Sequence, residues 1–429
     1  MPLRRSWIST AKSEEQMKKP CFSFILLLSL ILFSYPEYPV IRANFSSFFL
    51  ILLFVRVFFL TFLSCLSVLI SARFTEMKKS FIVAVYPTGK CAMKRFFLAI
   101  VIPLLLLTTP ASADTKKYRI LSVDGGGIRG VIAAQILVML EKENPGFLEN
   151  IDLFAGTSTG SIIAGFLAAG KSPQDLLDIY TTYGSQIFVP AHKDDLLHLH
   201  AKYSTEKLTE LMQKIGPPGN PTLSQLKKKV VIPSVKLNNE QTGSWDPVTF
   251  DNFEYSDLPL LDAMLRSSAA PTYFPSYQGY VDGGMAATNP SMIAIAAAVD
   301  VKKGGKQPEQ IHMLSLGTGT PLERIKSTSD LDWGAAEWAG INPLHDKDSG
   351  KFLILMDLLF DASIHLNDSL SAELLASRYK RVSPVLEEAI NLDDWQDATK
   401  IAAEIAAWPT TRPEYWRALS AFVKENFID

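Results

Sequence analysis

The sequence predicts a three-layer α/β/α protein with a mostly parallel central sheet and a helical C-terminal portion, built from residues 114–429. Three observations carry that prediction. Short apolar runs alternate with amphipathic stretches from Tyr118 to Leu316, as expected of strands covered by helices on both faces. Three runs end in glycine-marked turns: DGGGIRG from Asp124, GTSTG from Gly156 and DGG from Asp282. Beyond about residue 325 strand-like runs nearly vanish and helical patterns take over.

The elements follow in order. Tyr118–Val123 is a buried strand, and Val131–Leu140 is a helix with apolar residues at helical spacing. Ile151–Ala155 is a second strand, followed by GTSTG and a helix over Ser161–Ala169. Ser172-Pro173-Gln174-Asp175 is a helix start, with a serine cap, proline at the first helical position and an acid in the first turn. Ser204 caps a helix through Leu211. Lys229–Leu237 and Val248–Phe253 are strands around a turn at Asn238–Asp246, and Leu258–Ser267 is helical. Tyr280–Asp282 ends a strand, Asn289-Pro290 opens a helix, and Ile311–Leu316 is a strand closed by Gly317-Thr318-Gly319. Helices are expected at 332–339, 349–376, 393–407 and 413–425.

Residues 1–113 do not fit this pattern. From Met93 the chain has a basic start at Lys94 and Arg95, an apolar run from Phe96 to Leu107 and a small-residue site at Ala111-Ser112-Ala113, the three parts of a secretory signal peptide. Upstream lie apolar runs at Phe22–Phe33 and Phe48–Ile70, the second long enough to span a bilayer though Arg56 interrupts it. The expected organisation is therefore a hydrophobic extension over 1–92, a signal-like segment over 93–113, a catalytic α/β domain over 114–325 and a helical portion packed on it over 326–429. A start near Met93 implies a secreted or periplasmic protein, the reading favoured here, and a genuine 1–92 extension implies a membrane anchor.

Charge separates the two parts as well. Residues 1–113 hold 13 Lys/Arg and 4 Asp/Glu, which leaves 29 basic and 40 acidic residues, a net charge of −11, for 114–429. So acidic a body argues against nucleic acid as a partner and against electrostatic attraction to an anionic membrane. Cys21, Cys65 and Cys91 all precede Asp114, so the body has no disulfide, thiol nucleophile or cysteine metal site.

The three turns differ in what each can do. Gly125, Gly126, Gly127 and Gly130 after a strand satisfy the spacing of a dinucleotide loop. That site also wants an acid ending the next strand, and Asp152 stands at its start instead. Gly156-Thr157-Ser158-Thr159-Gly160 between strand and helix is a nucleophile-elbow arrangement, in which a sharp turn lifts Ser158 clear of the backbone. Asp282, before Gly283 and Gly284, is either an ordinary turn residue or a base for Ser158. Together the turns supply an anion cradle, a hydroxyl and a carboxylate at strand ends, the parts that acyl transfer needs.

Asp124-Gly-Gly-Gly-x-Arg129-Gly130, then Gly-x-Ser158-x-Gly160, then Asp282-Gly-Gly resembles the patatin-like phospholipases, or lipid acyl hydrolases. The likeness continues through SSAAPTYFPSY at 267–277 and SLGTGT at 315–320, and WGAAEWAG resembles the plant patatin type. Gly284 stands where many members have alanine. The resemblance implies a Ser158–Asp282 dyad without histidine, acting on acyl esters of polar lipids with transient contact to a membrane or micelle. It also implies that no metal or organic cofactor is required.

The chemistry agrees with those expectations. A carboxylate near pKa 4 is a poor base for a serine hydroxyl, and becomes an adequate one in a partly dry site. Backbone N–H groups of Gly125, Gly126 and Gly127 are the expected oxyanion donors, since glycine lets a carbonyl approach. Arg129 is expected to fix the glycine loop rather than to touch a lipid phosphate. Two rival readings are a Ser–His–Asp triad and a non-catalytic lipid-binding or storage protein of the same fold. His312, His345 and His365 satisfy the triad's chain order, but none sits in a recognisable loop after a late strand. His198 and His200, with Asp194 and Asp195 nearby, offer no evident third metal ligand.

Overall fold

The computed structural model describes residues 116–191, 200–321, 330, 332–339, 354–386 and 390–428. The signal-like segment, the upstream apolar runs, the three cysteines, Asp194, Asp195, His192, His198 and His345 lie outside them.

The described strands are β1 (Tyr118–Val123), β2 (Leu153–Gly156), β3 (Lys229–Lys236), β4 (Asp246–Asp251), β5 (Tyr280–Asp282), β6 (Ile311–Leu316), β7 (Thr320–Pro321), β8 (Tyr379–Val382) and β9 (Val385–Leu386). The main sheet runs β4-β3-β2-β1-β6-β8, with β5 beside β3, while β7 and β9 form a separate two-stranded ladder. The pairs β1/β2, β1/β6, β2/β3 and β6/β8 are parallel. Only β4 and β5 run antiparallel, both against β3.

β1 lies at the centre because both its faces are apolar. Leu121 and Val123 join a core under α1 (Gly130–Glu143), α2 (Thr159–Ala168) and α3 (Pro173–Ile187), whereas Tyr118 and Ile120 join a second core on the other face. Each fully buried aliphatic side chain contributes about 1.5–3 kcal/mol to this packing. α3 starts as its sequence dictates: Ser172 Oγ accepts the Asp175 N–H, the Asp175 carboxylate accepts the Ser172 N–H, and Pro173 occupies the first turn. α4 (Thr205–Ile215) follows Ser204, whose hydroxyl turns instead to Glu206 and makes no cap bond. α5 (Leu260–Ser267), α6 (Gly284–Ala287) and α7 (Ser291–Val299) complete the helices before β6, with α7 covering the second core.

The C-terminal portion departs from expectation at two short strands, β8 and β9. Its helices are α8 (Ala335–Trp338), α9 (Ile354–Leu375), α10 (Ala398–Ala406), α11 (Trp408–Thr411) and α12 (Pro413–Phe427). Between α9 and α10 it also supplies β8, a strand of the central sheet. Tyr-Lys-Arg-Val has no apolar run to announce it: Tyr379 and Val382 are buried, but the charged Lys380 and Arg381 stand between them. α9 turns Ser371 and Leu375 inward and leaves Leu355, Leu358, Leu359, Leu366, Leu370 and Leu374 exposed. Among the described residues no helix is long and apolar enough to cross a membrane, and no group of three or more His, Cys, Asp or Glu is placed to hold a metal ion.

Candidate active site

β5 explains how two distant turns meet. β4 occupies one edge of β3 from Val231 to Lys236, and β2 occupies the other edge only as far as Val231. β5 takes up that second edge where β2 has ended, pairing Asp282 with Ser234 and Tyr280 with Lys236. Running antiparallel, it brings its last residue, Asp282, back toward the carboxyl end of β2. Ser158 follows that end directly.

Ser158 is the one partly accessible residue between Leu153 and Gly160. Its backbone has φ 53° and ψ −123°, a conformation that an L-residue adopts at a cost of order 1–3 kcal/mol. Bonds on both sides hold it. The Ser158 carbonyl accepts Ser161 N–H at 2.8 Å and Ser161 Oγ–H at 2.6 Å, and the Ser158 N–H donates to Ser267 Oγ at 3.0 Å. Gly156 and Gly160 cross where a methyl on Gly156 would lie 2.0 Å from the Gly160 carbonyl oxygen, and one on Gly160 would meet the Val123 carbonyl. The turn therefore fits against β1 only without side chains.

Asp282 is buried. One carboxylate oxygen, Oδ1, accepts the Gly284 N–H at 2.7 Å, and the Asp282 amide donates to Ala269 O at 3.0 Å. Burial pushes its carboxyl up to about 6, against the opposing pull of the Ser158 hydroxyl and the Gly284 amide. The hydroxyl is thus near enough to act on the carboxyl, yet Oδ2 has no partner in good hydrogen-bond geometry. Ser158 and the Asp282 carboxylate are thus neighbours without an aligned bond between them. A buried unsatisfied acceptor costs about 1–3 kcal/mol, and such exceptions in a native fold mark places of function or strain. Gly283 crosses Pro233 so closely that a methyl would fall 2.2 Å from its carbonyl oxygen, and Gly284 lies against Phe360 of α9.

The glycine loop closes the third side. A methyl on Gly125 would lie 3.3 Å from Ser158 Cβ, which puts the loop against that side chain. Gly125 N–H donates to Thr288 O at 3.0 Å, so its amide is already engaged. Of the three amides expected to face an oxyanion, this one has a main-chain partner. Gly126 and Gly127 make no such bond among the described residues, and the next amide, Ile128 N–H, goes to Leu392 O at 2.8 Å. Gly127 has φ +57° and sits where a methyl would fall 2.1 Å from Leu392 O. Thr318 of SLGTGT backs the loop: its hydroxyl donates to Gly125 O at 2.7 Å, and a methyl on Gly126 would come within 2.2 Å of that oxygen. Gly130 starts α1 against the Thr159 and Tyr180 hydroxyls, themselves 2.6 Å apart.

Arg129 turns back on the loop, with Nε 3.4 Å from Gly126 O. Burial lowers its pKa, while Asp357 and Asp361 on α9 oppose that fall. Asp124 carries a partner that sequence reasoning missed. Arg381 of β8 meets it with two nitrogens, at 2.8 and 2.5 Å, and also donates to Ser315 Oγ at 2.8 Å. Burial works against the Arg381 charge, but the Asp124 carboxylate more than offsets it and holds the guanidinium pKa above its usual range. Ser315 continues through Ser291 Oγ to Ser122 and Asn289, so a buried polar chain runs beneath the glycine loop. The only sequence sign of this partner was Arg381 itself, one charge in a short unremarked run.

Three histidines lie among the described residues. His312 is the second residue of β6, opposite Arg119 at the far end of the sheet from Ser158, and its Nδ1 is 2.7 Å from Asn426 Oδ1. His365 is exposed on α9 and His200 is exposed before α4. Asp152, the acid that a dinucleotide loop would need, accepts Arg119 N–H at 2.8 Å, also away from the glycine turn.

Fold and site together define a three-layer α/β protein with a strained serine at a helix start, a buried carboxyl beside it and a glycine loop across from it. A family model described as patatin-like phospholipase matches residues 121–295. Protein teg of Priestia megaterium is 32% identical over 286 residues, covering 62% of this chain and 88% of that protein. The chain belongs to the patatin-like phospholipase family. A cGAMP-activated phospholipase of Escherichia coli is 30% identical over 283 residues, covering 60% of this chain and 76% of that one. Among solved structures, the complex of ExoU with SpcU from Pseudomonas aeruginosa matches with a TM-score of 0.38 at 14% identity, over 74% of this chain and 54% of that one.

Proposed function

We propose that this protein is a lipid acyl hydrolase that releases fatty acids from polar lipids through an acyl-Ser158 intermediate. The observation that carries the reading is the pairing of a strained, partly accessible Ser158 with a buried Asp282 whose carboxyl burial pushes up to about 6. A base near that value is ionised at neutral pH and still accepts a proton more readily than an ordinary aspartate. Asp282 takes the Ser158 proton as the hydroxyl oxygen attacks the ester carbonyl. Negative charge then gathers on the carbonyl oxygen, where the Gly126 and Gly127 amides and the positive end of α1 receive it. The carbon–oxygen bond to the alcohol breaks, and the alcohol leaves with the proton from Asp282. Water, activated by the same carboxylate, cleaves the acyl-serine to give fatty acid and free Ser158.

Family membership supports the class of substrate, and the phospholipase among the relatives supports a polar lipid. Such lipids are met in a membrane or micelle, and the exposed leucines of α9 form the apolar surface suited to that encounter. No step calls for a metal or an organic cofactor.

Fatty-acid release from mixed phospholipid and galactolipid micelles, followed by mass spectrometry, tests the reading. Ser158→Ala and Asp282→Asn are each expected to lose activity by at least about 10³-fold, since members of a nucleophile–base unit act together. His312→Ala and His365→Ala are expected to stay within about twofold, as neither contributes to the proton transfer. Turnover surviving in Ser158→Ala, or lost in a histidine variant but not in Asp282→Asn, sinks the proposal.

A further inference from the structure

Ser267 is the last residue of α5 and is fully buried. Its hydroxyl makes two bonds of fixed sense. It donates to Pro233 O at 2.7 Å, because a carbonyl only accepts, and it accepts from Ser158 N–H at 3.0 Å, because an amide only donates. Its own carbonyl accepts Gly283 N–H at 3.1 Å. The side chain of Ser267 therefore holds the turn that carries Ser158, while its main chain holds the turn that carries Asp282. Two residues on, Ala269 O accepts the Asp282 amide at 3.0 Å. Ala287 also bridges the two turns, but through its main chain alone: its carbonyl accepts the Thr157 hydroxyl at 2.7 Å and its amide donates to Gly283 O at 2.8 Å.

We infer that Ser267 is a positioning residue for the nucleophile: its hydroxyl fixes the Ser158 amide, and with it the strained turn, in register with the carboxylate of Asp282. The inference rests on the proposed Ser158–Asp282 chemistry. Strain makes such an anchor necessary. At φ 53° Ser158 relaxes toward ordinary backbone angles whenever its amide is released, and that rotation swings the hydroxyl away from the carboxylate. Ser267→Ala removes the hydroxyl that the Ser158 N–H and the Pro233 carbonyl share. Ser267 touches no reacting atom, so its effect is on the rate of attack rather than on substrate binding.

The test compares Ser267→Ala, Ser267→Thr and Ser267→Val. Readouts are p-nitrophenyl butyrate kinetics, the rate at which a fluorophosphonate labels Ser158, and melting temperature. Loss of the hydroxyl is expected to lower kcat and the labelling rate by about 10- to 100-fold, with KM changing less than about twofold. Threonine, which keeps a hydroxyl, is expected to recover most of both rates, and valine, of nearly the same shape, is expected to recover neither. Threonine against valine keeps the test decisive if alanine does not fold. Equal rates for threonine and valine, or an alanine variant within twofold of the wild type, overturns the inference. Ser158→Ala assayed in parallel separates the two levels: activity there removes the dyad itself, whereas inactivity there with a silent Ser267→Ala removes only the positioning role.

Discussion

At Asp282 the requirements of the proposed base and of a stable fold oppose each other. Its carboxyl is pushed up to about 6, mainly by burial, whereas an unfolded aspartate titrates near 3.9. The folded state therefore binds this proton more tightly than the unfolded chain. The stabilisation is complete below about pH 4 and is lost as the pH rises through about 6. The proposed chemistry needs the opposite form, since only a carboxylate can accept the Ser158 proton. We accordingly expect kcat/KM for a soluble ester to rise with pH through an apparent pKa near 6. We also expect Asp282→Asn, though inactive, to be more stable than the wild type at pH 7.5 by of order 1–3 kcal/mol, an advantage that fades toward pH 4. Urea denaturation at the two pH values measures the difference. Equal stabilities at both would mean that the charge at Asp282 is not held at a cost.

At the level of elements, β8 binds the C-terminal portion into the catalytic sheet and delivers Arg381 to Asp124. Both side chains are largely buried, and removing one partner strands the other's charge. Arg381→Ala is expected to destabilise the fold by about 3–5 kcal/mol in chemical denaturation. The Asp124→Leu/Arg381→Met double variant is expected to lose much less, because it leaves no lone buried charge. Additive losses would show instead that the two residues act separately. The pair sits next to Gly125, so its geometry reaches the glycine loop through the chain itself, and the bond from Thr318 to Gly125 O adds a second brace.

Over the whole molecule, charge and apolar surface point to the same kind of encounter. The body carries a net charge of −11, and α9 has no lysine or arginine. Leu355, Leu359, Leu366 and Leu370 lie along one stripe at helical spacing, while Phe360 and Ser363 of the same helix reach Gly284 and the Thr288 amide. A neutral lipid surface suits such a helix better than an anionic one. Sedimentation with phosphatidylcholine vesicles checks this. Replacing Leu359, Leu366 and Leu370 together by glutamine is expected to cut the bound fraction by about tenfold or more, and added phosphatidylserine is expected not to strengthen binding. Unchanged binding would remove the leucines from lipid contact, and a dimer lost in the triple variant would assign the stripe to a second copy of the chain.

What the sequence determined alone was local. β1 and β6 appear at the expected residues, and Ser172 caps α3 as its neighbours require, because period and turn chemistry act over a few positions. The three glycine turns were legible for the same reason. Tertiary structure decided what these pieces face. Asp124 finds Arg381 257 positions away, and Ser158 finds Ser267 109 positions away. β5 reaches the site by running antiparallel along an edge of β3 that β2 leaves open, and Gly125 gives its amide to Thr288. Strand pairing and buried polar bonds depend on which elements pack side by side, and nothing in the spacing of neighbouring residues specifies that choice.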